Sequence, residues 1–508
     1  MPAALPLVPV YTGAQLRAGE RLLLDAGQGS QLMRRASWGL AGVVLKLLGG
    51  RVAQAEDRRL SGSRGLRRRG SARSTIYGAR VTGLIGPGNN GGDGLWALSF
   101  LRRRGVDVRA VLTRERVHEE ALAAFLRAGG RVVDEVPEDT EVVIDAILGT
   151  GFRGEFAAPQ IPDGALVIAC DLPSGVDADT GQVRGSALPA AHTVTFGGLK
   201  MGLLAGDGGH LSGRLHTVDI GISEHLPEPR AYAVPEGAPV RPAPPQATDH
   251  KYSRGTLHIL AGSQHYPGAA QLAVGAAVST GVGMVTFEGP EEVRRQVLAA
   301  WPEAVHSAED DQEGLDRRLG KARAVVVGPG LGEEPAQRQR ASEIIRWAVR
   351  ERRPCVVDAS ALAVVPHLEL GPEVLLTPHA GEARSLAGQL GLEGAGELLG
   401  SDPVGVAESL ARRTGAAVLL KGATTVISSP EGEVLLHRAQ APGLATAGSG
   451  DVLSGILGAV LATQTPELSL VQCAALAVRL HAGAAARLDP EGEGGFGASA
   501  LLPAPGVS

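Results

Sequence analysis

Seven prolines crowd between Pro227 and Pro245, in the run PEPRAYAVPEGAPVRPAPP. Each removes a backbone N–H and fixes φ, so the stretch cannot be helical and stiffens toward an extended strap. It divides the 508 residues into two parts, each above the roughly 150 residues that usually support one core. The expected organisation is a domain over 1–226, a linker over 227–247 and a second domain over 248–508.

Within both parts, short β-branched runs alternate with Ala/Leu-rich stretches, the pattern of parallel sheets covered by helices on both faces. The fold class is therefore α/β. In the first part strands are expected at Arg80–Gly86, Val106–Leu112, Val142–Leu148, Leu166–Asp171 and His192–Phe196. In the second they are expected at Thr256–Ala261, Met284–Glu288, Ala324–Val327, Cys355–Asp358, Val374–Thr377 and Ala417–Lys421. The uncharged stretch Tyr266–Phe287 approaches membrane-spanning length, but its Gly, Ala and Ser content and Pro267 point to a buried helix running into a strand.

Bulk composition removes several function classes. Hydrophobic residues at 44% and charged residues at 20% describe a globular chain. A net charge of −5 gives no overall attraction to nucleic acid. The Arg51–Arg73 stretch carries eight arginines among Gly and Ser, and reads as a solvated, flexible insertion. Three isolated cysteines, Cys170, Cys355 and Cys473, fit neither a zinc site nor a disulfide framework. The N-terminus lacks the basic region of a signal peptide, so a cytoplasmic protein without membrane or nucleic-acid partners is expected.

Two constellations carry chemistry. After the strand Arg80–Gly86 comes GPGNNGGDG, whose glycines let backbone approach a diphosphate. Read as GxGxxG alone, it is a weak dinucleotide signal. Asn89, Asn90 and Asp93, however, add hard oxygens within one tight turn, expected to lead into a helix at Leu95–Arg104. IDAILGTGFRGE sets Asp145 at the next strand end, followed by a loop with Arg153, and CDLPSGVDADTG sets Asp171 and Ser174 at another. Ligands of open parallel sheets bind at the carboxyl ends of strands, so these segments should converge, although each aspartate alone could simply cap a turn.

In the second constellation, APGLATAGSGDVLSGILGAV leads a glycine turn, Gly448-Ser449-Gly450, through Asp451 into an apolar helix. Free N–H groups at such a helix start can hold a transferring phosphoryl group, and Asp451 lies where a base could deprotonate an attacking hydroxyl. A plain helix cap is the competing reading. VLLKGATTVIS supplies Lys421 and a Gly-Ala-Thr-Thr turn, while VVVGPGLG and LLTPHAGE set Gly330 and His379 after further strands.

Taken together, GPGNNGGDG, VIDAILGTGFRGE and ACDLPSGVDADTG resemble the signatures of NAD(P)H-hydrate epimerase over most of residues 1–225. RGTLHILAGS, YPGAAQLA, VVVGPGLG, TPHAGE, KGATT and AGSGD resemble the ADP- or ATP-dependent NAD(P)H-hydrate dehydratases of the ribokinase-like superfamily over about residues 250–490. The resemblance implies two three-layer α/β domains, N-terminal Rossmann-like and C-terminal ribokinase-like. It implies that Asn89, Asn90, Gly91, Gly92, Asp93, Gly149, Thr150, Gly151, Phe152, Arg153, Gly154, Glu155 and Asp171 contact the substrate, with Asp171 transferring a proton. Potassium would sit among Asn90, Asp145 and Ser174. In the second domain it implies substrate contacts from Ala269 or Ala270, Gly330, His379 and Asp451, with Asp451 catalytic. Nucleotide contacts would come from Lys421, Gly422, Ala423, Thr424, Thr425 and Gly450.

The implied function is repair of hydrated NADH and NADPH (NADHX and NADPHX). The first domain would interconvert their R and S forms. The second would dehydrate the S form with ADP and Mg2+, by phosphorylating the hydroxyl to make it a leaving group and releasing AMP and phosphate. A homo-oligomer is expected. The alternative is a ribokinase-like small-molecule kinase fused to a non-catalytic nucleotide-binding module.

Overall fold

The computed structural model describes residues 5–60, 76–152, 154–242, 244–306, 319–392, 394–439, 441–463, 468–490 and 492–502. The chain divides into two compact units, Pro9–Arg230 and Ala231–Ser508, the second also taking in the start of the chain as far as Val8. Of the proline-rich segment, 227–230 falls with the first unit and 231–247 with the second.

In the first unit the strands are β1 (Val8–Tyr11), β2 (Arg80–Ile85), β3 (Asp107–Leu112), β4 (Arg131–Val133), β5 (Val142–Ala146), β6 (Leu166–Cys170), β7 (His192–Phe196), β8 (Leu199–Lys200) and β9 (Arg214–Val218). Seven of them form a sheet in the order β4-β3-β2-β5-β6-β7-β9, parallel throughout. From β2 the chain winds outward through β3 and β4, then returns to start again at β5. The direction thus reverses between β2 and β5, where Leu84 pairs with Asp145. Reversal leaves a crevice at the strands' carboxyl ends, the standard ligand position in such sheets. β5 is buried on both faces, as a helix-covered parallel strand should be.

The helix after β2 runs Asn89–Arg103, so Asn89 to Asp93 occupy its opening turns and not a loop ahead of it. Close packing explains why so glycine-rich a segment can be helical. A Cβ on Gly91 would lie 2.1 Å from the Gly86 carbonyl oxygen, and one on Gly94 2.6 Å from the Ala146 Cβ. Tertiary approach thus overrides the poor helix propensity of glycine. The helix Gly29–Leu60 extends through residues 51–60, against the loop expected there, and the remaining arginines of that stretch lie outside the described residues.

In the second unit the strands are β10 (Ala231–Ala233), β11 (Thr256–Leu260), β12 (Met284–Glu288), β13 (Val305–His306), β14 (Ala324–Val327), β15 (Cys355–Val357), β16 (Val374–Leu376), β17 (Ala417–Leu420), β18 (Thr424–Ser428) and β19 (Val434–Arg438). Their order is β13-β12-β11-β14-β15-β16-β17-β18-β19-β10. The run from β13 to β17 is parallel, and here the reversal falls between β11 and β14. β18 is antiparallel to both β17 and β19. Thr424 and Thr425, expected in a turn, are the first residues of β18. Within the proline-rich segment, β10 pairs in parallel with β19 through Tyr232↔Leu435 and Ala233↔Leu436.

Two apolar helices, Pro267–Thr280 and Ser449–Thr463, pack closely over this sheet. A Cβ on Gly455 would meet the Ala273 carbonyl oxygen at 2.1 Å, so only glycine permits the crossing. The helix Pro267–Thr280 and β12 account for the uncharged stretch Tyr266–Phe287. Among the described residues, no helix is long and apolar enough to cross a membrane.

Candidate active sites

In the first unit the predicted segments gather at the β2/β5 reversal. Asp145 is the penultimate residue of β5 and is fully buried. Its Oδ1 accepts from Ser174 Oγ at 2.6 Å, its Oδ2 from the Ser174 amide at 2.7 Å, and Oδ1 also from the Ile147 amide at 3.3 Å. Ser174 Oγ in turn accepts from the Leu148 amide, and Asn90 Nδ2 donates to the Leu148 carbonyl at 2.8 Å. Asn90, Asp145 and Ser174 therefore share one hydrogen-bonded knot. Burial raises the Asp145 carboxyl to about 6 despite those donors. Hydrogen bonds alone do not offset its desolvation.

Asp171 follows β6 with φ +70, in the left-handed region that few non-glycine residues adopt. The Leu172 amide donates to the Cys170 carbonyl, closing a strained three-residue turn around it. Oδ1 of Asp171 accepts from Lys200 Nζ at 2.6 Å, from the Phe196 amide at 3.3 Å and from Thr195 Oγ1 at 3.4 Å. The Lys200 side chain is 2% exposed.

Asp93 accepts from Ser37 Oγ, yet burial first and the charge of Asp171 next push its carboxyl well above the usual range. Glu20 is raised in the same way, by burial and then by Asp171, against the pull of Lys200 and Arg17. Arg17 reaches the glycine loop by donating to the Thr150 carbonyl at 3.0 Å. Arg153 of that loop lies outside the described residues.

Sequence reasoning did not single out Lys200, Glu20, Arg17 or Ser37. Lys200 sits in FGGLKMG, where nothing local marks a lysine as buried. Only the pairing of β8 with β1, Tyr11 opposite Lys200, brings it inward.

In the second unit Asp451 lies in the first turn of the helix Ser449–Thr463, after Gly448 at φ +89. It makes no hydrogen bond or ion pair with the described residues. Its carboxyl is raised to about 6, first by burial and then by Asp358, against the pull of Lys421, with Glu382 adding to the rise. Lys421 follows β17, and its Nζ donates to Asp358 Oδ1 at 2.7 Å and lies 3.8 Å from Glu382 Oε2. Asp358 is itself buried, its Oδ2 accepting from Ser454 Oγ at 2.7 Å. A Cβ on Gly450 would stand 3.5 Å from Lys421 Nζ, which places the helix start beside the lysine.

His379 caps the helix Ala380–Gln389. Its Nδ1 accepts from the Gly381 and Glu382 amides, and the His379 amide donates to Glu382. The ring remains exposed, with Nε2 3.6 Å from Glu382 Oε1, so it can still meet a ligand. Gly330 has φ +62, and a Cβ there would lie 2.5 Å from that of Ala269. Ala270 is fully buried in the core, which makes Ala269 the alanine beside Gly330. Asp358 and Glu382 are the additions here. Asp358 had a legible signal, an aspartate directly after an apolar parallel strand.

Asp145 lies at the reversal of the first sheet, and Ala269 and Gly330 follow the two strands that flank the reversal of the second; each site also joins an aspartate to a lysine. Both sites also have a glycine-led helix start, at Asn89 and at Ser449, that suits a phosphate group. Such a chain is a two-site α/β enzyme that handles phosphorylated nucleotides. Residues 257–498 match the family model described as NAD(P)H-hydrate dehydratase, and residues 29–202 match that of the YjeF-related protein N-terminus. The bifunctional NAD(P)H-hydrate repair enzyme Nnr of Mycobacterium leprae is 39% identical over 94% of this chain and 93% of its own length. Its counterpart in Mycobacterium tuberculosis is 40% identical, over 90% of this chain and 89% of its own. A solved Bacillus subtilis ADP/ATP-dependent NAD(P)H-hydrate dehydratase, co-crystallised with ATP and Mg2+, is 27% identical with a TM-score of 0.43, covering 52% of this chain and 92% of that one. The chain belongs to the family of bifunctional NAD(P)H-hydrate repair enzymes.

Proposed function

We propose that the chain restores hydrated NADH and NADPH in two stages. Residues 1–226 exchange the R and S epimers of the hydrate, and residues 248–508 dehydrate the S form with ADP as phosphoryl donor, releasing AMP and phosphate. One observation carries the second stage. Asp451 is a half-buried carboxylate without a hydrogen-bond or ion-pair partner among the described residues, raised to about 6, beside Lys421 and the glycine-led helix start. A base poised near neutrality takes the proton of the hydroxyl that attacks the phosphoryl group. Lys421 and the amides at Gly450 face the charge that develops there, and Gly422, Ala423, Thr424 and Thr425 run on from Lys421 toward the rest of the nucleotide. Gly330, Ala269 and the exposed His379 hold the hydrate.

Mg2+ supplies charge neutralisation on the donor's phosphates when bound. The ion would be carried largely by the nucleotide's phosphates, with Glu382, 3.8 Å from Lys421, as an added oxygen ligand. Potassium fits the first site for a different reason. Asp145 is a fully buried carboxyl that, among the described residues, is held by neutral donors, and Asn90 and Ser174 add oxygens beside it.

In that site Asn89 through Asp93, the Gly149–Glu155 loop and Asp171 hold the hydrate, and Asp171 moves the proton. A cytoplasmic location and a homo-oligomer complete the reading. Three free, buried cysteines suit a reducing compartment, and light scattering after gel filtration reads the assembly.

The test is to incubate the chain with mixed hydrate epimers, ADP and Mg2+. Reduced-nicotinamide absorbance should return for both epimers, with AMP and phosphate as products. A stable phosphorylated product would instead indicate a kinase.

A further inference from the structure

Within the first unit, the hydrogen bonds to Asp171 are unevenly shared between its two oxygens. Oδ1 receives all three donors, from Lys200, Thr195 and Phe196. Among the described residues Oδ2 receives none. Lys200 is fully engaged as well: its Nζ donates to Asp171 at 2.6 Å, to Thr195 Oγ1 at 2.8 Å and to the Phe196 carbonyl at 3.4 Å. Three acceptors use the three donors of a lysine, leaving none for a ligand. The lysine therefore has no direct call on the substrate. It holds one carboxylate oxygen in place, while the left-handed turn at φ +70 fixes the backbone beneath it. Strain of this kind persists only where the surroundings impose it, and it concentrates at functional positions.

We propose that Lys200 is a positioning residue of the epimer-exchange site, clamping Oδ1 of Asp171 so that Oδ2 alone exchanges a proton with the substrate hydroxyl. This rests on the function assigned to the first unit. Hydration of a dihydropyridine puts the hydroxyl on the carbon bonded to the ring nitrogen. Such a centre inverts by opening and closing. Oδ2 takes the hydroxyl proton, the C–O bond becomes a carbonyl, and the C–N bond breaks with its electron pair going to nitrogen. The structure offers Asp93 as the group that gives that nitrogen a proton, since it shares the site with Asp171 and burial, then the Asp171 charge, push its carboxyl well above the usual range. Attack of the nitrogen on the other carbonyl face returns its proton to Asp93 and the Oδ2 proton to oxygen. No oxidant or second substrate is consumed.

The experiment measures epimer exchange by the whole chain, with thermal unfolding of the chain as the control of folding and dehydration of pure S hydrate as the control for the second unit. Lys200→Met should lower kcat for exchange by about a hundredfold, within the range of general acid–base effects, and leave KM within about threefold. S-hydrate dehydration should be unchanged. Added to Asp171→Asn, Lys200→Met should cost less than about twofold more, because residues acting as one unit are not additive. Thr195→Val, nearly isosteric, removes one corner of the clamp and should lower kcat about tenfold at constant KM, which covers the case in which Lys200→Met does not fold. Near-wild-type kcat in either single variant, a loss confined to KM, or losses that multiply in the double variant overturns the clamp alone. If the unaltered chain does not speed exchange, the function assigned to the first unit falls, and the clamp with it.

Discussion

The two sites use the same pair of side chains in opposite ways. In the first, Lys200 grips Asp171, the aspartate assigned to the chemistry, at 2.6 Å. In the second, Lys421 is gripped at 2.7 Å by Asp358, an aspartate assigned none, and Asp451, the carboxylate proposed as base, stands apart. A lysine that clamps the base fixes where its proton is taken and spends its own donors on that task. A lysine held by a third residue keeps its charge available to a ligand. Taking a hydroxyl proton at one fixed oxygen needs the first arrangement; stabilising a transferring phosphoryl group needs the second.

This contrast can be broken at several points. Asp451→Asn should have the largest effect, lowering dehydration by about 10³-fold or more while epimer exchange persists. Coupled loss of both activities would deny the separateness of the sites. Asp171→Asn should do the converse, lowering exchange by about 10²–10³-fold with S-hydrate dehydration intact. Asp358→Ala removes the buried partner of Lys421 and leaves Ser454 without its acceptor. It should destabilise the second unit by about 2–4 kcal/mol in urea titration and lower dehydration as Lys421 drifts.

A subtler effect is expected in pH. The base must be ionised, so the kcat of dehydration should fall about tenfold per unit below about pH 6 and flatten above it. Lys421 pulls the Asp451 carboxyl down, so Lys421→Met should move that limb to higher pH. An unmoved limb would show that another group sets it. The smallest effect is ionic. Potassium should raise the thermal midpoint of the chain by a few degrees over choline, through binding to the native state alone, and Asp145→Ala should erase the difference.

Periodicity and strand ends were legible because parallel strands buried on both faces are short, continuous apolar runs. His192–Phe196, Met284–Glu288 and Ala324–Val327 have the same ends in sequence and structure. The antiparallel β18 and β19 escaped, since KGATT carries turn-forming residues and the strand begins inside it. NNGGDG looked like loop because glycine disfavours helix in isolation, whereas the approach of Gly91 to the Gly86 carbonyl decides otherwise. Motifs marked Asp171 and Asp451 for the same reason: each sits in a glycine-rich string. Their lysines and carboxylate neighbours are scattered through the chain, and no local pattern reveals that Lys200 lies 2.6 Å from Asp171 or Asp358 2.7 Å from Lys421.

The three residues Ala231–Ala233 bear on how such a fusion could be taken apart. They look like tether by composition but are hydrogen-bonded as sheet, and the next residue, Val234, gives its carbonyl to buried His437. A protease or an engineer cutting after the last proline would strip this strand from β19 and bare a row of unpaired amides and carbonyls, the kind of edge that recruits other chains into aggregates. A cut just before Ala231 keeps the pairing with β19, although it removes the start of the chain, whose Leu5 belongs to the same core. The fragment beginning at Ala231 should therefore aggregate less than one beginning at Thr248, as light scattering would read.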